Sequence, residues 1–136
     1  MANTVTKSRV SNTLKTMLVE NDATTLNGST YVAIIDAVEV ESYDRASIQV
    51  LSNDEGGGLT CQVWGSLFDS AEALPVTNSK WVQVGDDVVV TASSGSLKAI
   101  STTALRLLAV TVKATDGSST TVITAGDCKV FLQGTI

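Results

Sequence analysis

Histidine is absent from this chain of 136 residues. Without an imidazole, Ser-His-Asp and Cys-His nucleophilic catalysis, imidazole zinc sites and imidazole general bases are excluded together. Sulfur is scarce as well. Cys61 and Cys128 are the two cysteines, each inside an alternating apolar run with no pair of metal ligands beside it. They read as buried thiols, with a disulfide as the alternative if their strands are neighbours. Aromatics are few, two each of Trp, Tyr and Phe, so Trp64 and Trp81 are expected to be spent on burial, an exposed sugar-stacking platform being the alternative. The longest apolar runs, such as Leu107 to Val110 and Val88 to Val90, are far too short to span a bilayer. The opening Met-Ala-Asn-Thr-Val-Thr-Lys lacks the apolar block of a secretory signal. The expectation is a product that begins in a cytoplasm, with no membrane partner.

What is present points to one folded domain. An apolar fraction of 43% and a mean hydropathy of +0.22 exclude general disorder, and the length suits one sandwich core rather than two. The formal charge of −5 argues against nucleic acid as a partner, since phosphate neutralisation needs a basic surface. That charge is unevenly spread. Residues 1–19 hold Lys7, Arg9 and Lys15 with no acid, whereas the rest holds all fourteen acids. Residues 1–20 therefore read as an N-terminal arm or short amphipathic helix, with Val10, Leu14, Met17 and Leu18 at helical spacing. Its cations and apolar residues, Lys7, Arg9, Val10, Leu14, Lys15, Met17 and Leu18, are the candidate partner-binding residues, because apolar stretches outside a completed core commonly meet another surface.

Residues 21–136 are expected to form a single all-β domain. Period-two alternation, broken every 8 to 15 residues or so by Gly, Ser, Asn and Asp, is how antiparallel sheet reads. It predicts strands over Tyr31–Val40, Ala46–Leu51, Leu59–Leu67, Lys80–Val84, Asp87–Ala92, Ala104–Ala114, Ser119–Thr124 and Cys128–Gly134. About eight strands is the number of a jelly-roll-like, two-sheet antiparallel sandwich. Side chains alternate across a pleated strand, so Leu59, Cys61, Val63 and Gly65 share one face, as do Leu108, Val110 and Val112. These are the expected core faces.

No reaction centre emerges from the remaining residues. A glycosidase needs two facing carboxylates, yet Asp54, Glu55, Asp86, Asp87 and Asp116 sit in expected turns, where Asp is ordinary turn chemistry. Gly56-Gly57-Gly58 lacks the Gly-Lys-Ser/Thr ending and following helix of a phosphate loop. Neither Asn53-Asp54-Glu55 nor Asp86-Asp87 has EF-hand spacing for calcium. The expectation is no enzyme, no catalytic residue, no metal and no cofactor.

Val63-Trp64-Gly65-Ser66-Leu67-Phe68-Asp69-Ser70, Lys80-Trp81-Val82-Gln83-Val84 and Leu105 to Ala114, together with Glu41 to Val50, resemble the strand sequences of small tailed-phage virion proteins. The resemblance covers about residues 38 to 114. It implies a sandwich protein assembled in many copies on a phage head, a capsid decoration or cement protein that binds the major capsid protein and forms a homo-oligomer, with a trimer favoured. The expected location is the virion, assembled in the host cytoplasm. A phage tail or neck protein and a carbohydrate-binding or adhesive module are the alternatives.

Overall fold

The computed structural model describes residues 14–52, 58–68, 79–115 and 120–135. Runs of Val, Ile, Leu and Thr, which fit a pleated backbone, build eleven strands among them and no helix. They are β1 (Leu14–Glu20), β2 (Thr24–Asn27), β3 (Val32–Glu39), β4 (Arg45–Leu51), β5 (Leu59–Ser66), β6 (Val82–Gln83), β7 (Val88–Val90), β8 (Gly95–Ser101), β9 (Leu107–Ala114), β10 (Thr120–Ile123) and β11 (Cys128–Thr135). All eight expected strands are found. Those not anticipated are β1, β2 and β8.

One sheet has the order β1-β11-β4-β8 and the other the order β3-β9-β5-β6, with β7 also paired to β5. Counting β6 and β7 as one interrupted strand and setting aside the short β2 and β10, these are the eight positions of an antiparallel jelly roll. Every recorded pairing is antiparallel. β2 and β10 pair with each other, and their Leu26 and Ile123 join the main core.

That core is filled from both sheets: Ala46, Ile48, Val50, Val130 and Leu132 from one, Ile35, Leu59, Cys61, Val63, Leu108, Val110 and Val112 from the other. Both core faces expected from alternation are therefore the ones buried. Gly65 belongs to the same row because the Leu105 side chain occupies the space of its missing Cβ, which would lie 2.7 Å from Leu105 Cδ2.

Of the arm or short helix expected over residues 1–20, the last seven residues form a strand instead. Leu14–Glu20 is an edge strand paired residue for residue with β11, from Leu14↔Thr135 to Glu20↔Lys129. A lone helix of this length gains little in water. As a strand, the same residues pair their backbone with β11 and lay Val19 against the core. Residues 1–13, including Lys7, Arg9 and Val10, lie outside the described residues.

Candidate partner-binding surface

The two long sides of the sandwich differ. Where β7 and β8 meet, Ser96 Oγ donates to the Val89 carbonyl at 3.2 Å. Lys98 Nζ donates to the carbonyls of Val84 and Asp86 at 2.9 and 3.1 Å. On the opposite side β1 and β3 end their sheets, and between them runs an open groove of about 520 Å³. Met17, Val19, Val38 and Tyr43 make it apolar, and Asp36, Glu39 and Glu41 make it acidic.

The end of this groove is set by the turn that carries the chain from β3 to β4. Tyr43 N–H donates to the Val40 carbonyl at 2.9 Å and Asp44 N–H to the Gln133 carbonyl at 2.8 Å. Thr102 Oγ1 donates to the Tyr43 carbonyl at 2.8 Å. Gly134 permits this closeness, since a Cβ there would lie 2.9 Å from the Ser42 carbonyl oxygen. Tyr43 Oη donates to Met17 Sδ at 3.5 Å, and Glu41 pairs with Arg106 Nε at 3.1 Å. Among the described residues no cation pairs with Asp36 or Glu39.

Alternation divides the candidate residues of β1 between two surfaces. Lys15 and Met17 belong to the groove side, Lys15 donating to Ser42 Oγ at 2.8 Å and Met17 lining the groove. Leu18 points outward, directly opposite Phe131 of β11. Leu18 is 52% exposed and Phe131 38%. Continuing that row across the sheet brings Ser47 and then Ala99, with Leu97, 70% exposed, two residues along β8 and opposite Gln49. Leu18 and Phe131 thus form an exposed apolar pair, which Ser47 and Gln49 of β4 separate from a second apolar spot at Leu97 and Ala99, and of these only Leu18 was a candidate from the sequence. Phe131 carried a signal of its own, an aromatic at the outward position between the inward Val130 and Leu132.

Neither tryptophan is a platform. Trp64 stands on the outer face of the β5 sheet, but Trp81 folds over it, and both are buried with Leu107 and Ala109. Trp64 Nε1 donates to Thr111 Oγ1 at 2.9 Å, which explains how a threonine on that face is buried. Nearby, Gln62 and Gln83 both donate to Asp87 Oδ1, at 3.3 and 2.6 Å. No group of three His, Cys, Asp or Glu side chains among the described residues could hold a metal ion, and Asn53-Asp54-Glu55 lies outside them.

The cysteines are unpaired and buried in the main core. Burial pushes both thiols up to about 12, with the nearby Cys128 adding to the effect on Cys61. A thiolate is the reactive form, so neither is a nucleophile near neutral pH.

No family model matches the chain, and no curated protein matches it by sequence. Solved structures do share its fold. A protein of the disulfide-linked pili that form Bacillus endospore appendages superposes with a TM-score of 0.51 at 19% identity, over 92% of this chain and 90% of that one. A chain of the T13 IBDV viral particle gives 0.53 at 6% identity, over 90% of this chain but only 31% of the viral one.

Proposed function

We propose that this chain is a structural protein of a virus particle, a capsid decoration protein of a bacteriophage that binds the major capsid protein lattice as a homo-oligomer, with a trimer favoured. The observation that carries the reading is the exposed apolar pair of Leu18 and Phe131, with Leu97 exposed two strands away, on the outer face of one sheet. A regular strand surface of this kind suits attachment to another protein, since exposed apolar patches mark interaction sites. Many weak copies of one contact on a lattice add up to firm binding. The fold shared with a chain of a viral particle is consistent with this role, as is the lack of histidine. The site of action would be the virion, assembled in the host cytoplasm, with neither nucleic acid nor membrane as partner.

Mass spectrometry of purified particles tests the reading. A copy number near that of the major capsid protein supports decoration, whereas a few copies per particle would assign the chain to the neck or tail. Absence from particles would refute it. On intact particles, Phe131→Ser should release the protein at lower denaturant concentration without unfolding it, since the side chain lies outside the core.

A pilus subunit is the second reading, favoured by the fold shared over nearly the whole length of an endospore pilus protein. Cys61 and Cys128 are the two cysteines of the chain, and both are buried, so subunits of this fold would be joined without disulfides. The carbohydrate-binding alternative loses the residues that motivated it, because Trp64 and Trp81 are covered.

A further inference from the structure

We infer that the groove between β1 and β3 receives residues 1–13 of a second copy of this chain, laid along the free edge of β3 as an added strand. The inference rests on the reading of the chain as an assembling structural subunit, and names the partner that the groove takes.

Three observations lead to it. First, the groove is lined on the β3 side by Asp36 and Glu39, with Glu41 close by, over an apolar floor of Val19, Val38 and Tyr43. Arg106 neutralises Glu41, but among the described residues Asp36 and Glu39 have no cationic partner. Second, residues 1–13 carry Lys7 and Arg9 and no acid, while the rest of the chain is strongly acidic. Acidic side chains on a sheet edge discourage pairing with another acidic edge. A cationic strand is the complement, because opposite charges steer and register an interface. Lys7 and Arg9 are two residues apart, so an extended arm points both the same way.

Third, length and direction favour a neighbouring copy over the arm's own body. The arm leaves β1 at Leu14, beside the groove end where Lys15 reaches Ser42. To occupy its own groove it would have to reverse at once, and residues 1–13 contain neither glycine nor proline. Extended, thirteen residues reach about 43 Å at about 3.3 Å each, more than the roughly 26 Å that the eight residues of β3 span. Main-chain hydrogen bonds to the free edge would supply affinity and the charges would supply register, as in other strand additions. An arm in the next copy's groove is a heterologous contact, which closes into a ring or continues as a filament.

Reversing charge on each side tests it with the full chain. K7E/R9E and D36K/E39K should each weaken self-association, read by light scattering and sedimentation, by roughly tenfold or more, given the close charge pairs broken. Mixing the two variants should restore contact between unlike copies, because each arm then meets a groove of opposite sign. Melting temperatures equal to the parent's at a dilution where all are monomeric would show that both variants fold. If K7E/R9E assembles as well as the parent, the arm is not the contact, although assembly through another face survives. If the parent is monomeric at high concentration, or the monomer alone is destabilised by K7E/R9E, exchange between copies is refuted, and particle binding remains the separate test of the structural role.

Discussion

Lys15 holds its Nζ 4.8 Å from the centre of the Tyr43 ring, so the first strand of the chain is fastened to the turn that crosses between the two sheets. A cation over an aromatic face contributes about 0.5 to 1 kcal/mol at an exposed site. The contact sits on seven paired residues of β1 and β11, and that pairing decides what truncation does.

Removing residues 1–12 should leave the stability of the monomer, measured at high dilution, almost unchanged, because β1 stays whole. Removing residues 1–20 should lower stability by about 3 kcal/mol or more, since it uncovers Val130 and Leu132 beside the lost Val19, and each aliphatic side chain returned to water costs about 1.5 to 3 kcal/mol. Urea denaturation of the two truncations distinguishes them. Equal midpoints would mean that β1 adds nothing to the fold.

Val110 lies between Ile35 and Val63 in register, fully buried. Val110→Asp places a carboxylate where no cation or water can reach it, and should cost more than about 4 kcal/mol, in the range reserved for buried unpaired charge. The expected outcome in a thermal melt is a chain unfolded at 37 °C. A variant melting within a few degrees of the parent would contradict the core described above.

Thr121 Oγ1 is buried without a hydrogen-bond partner. Thr121→Val keeps the shape and removes the hydroxyl, so it should stabilise by about 1 kcal/mol, the low end of the cost of an unpaired buried polar group. Thr111→Val should do the reverse. It strands the Trp64 indole N–H, and a loss of about 1 to 3 kcal/mol is expected in the same urea titration.

Cys61 and Cys128 should resist a thiol reagent in native buffer and react fully in denaturant. Their thiols titrate near 9 when unperturbed and at about 12 in the fold. Above pH 9 the unfolded chain therefore sheds protons that the folded chain keeps, and stability falls as pH rises from 9 towards 12. Each thiol contributes a loss of up to about 1.4 kcal/mol per pH unit in that window. Replacing both by alanine should flatten this alkaline decline while lowering stability at pH 7 through the lost packing. An unchanged slope would show that other groups cause it.

The sequence by itself determined the strand type, the core faces and the lack of imidazole chemistry, because each is a local property. Alternation places Leu108, Val110 and Val112 together whatever the neighbouring strand is, and a missing residue type is missing from every fold. The apolar spacing of Leu14, Met17 and Leu18 was different. It suits a helix face better than a strand, and only β11, more than a hundred residues away, decided for the strand by offering its free backbone edge. β8 escaped notice because none of its residues is fully buried, so its alternation is weak. The same holds for the surfaces. Leu18 meets Phe131, Trp81 covers Trp64, and the β1 and β3 sides of the groove come together only when two sheets pack with those strands at matching edges. Pairing and packing of this kind depend on long-range closure of the chain, whose cost and reward are shared among all the strands, and no short stretch of residues records it.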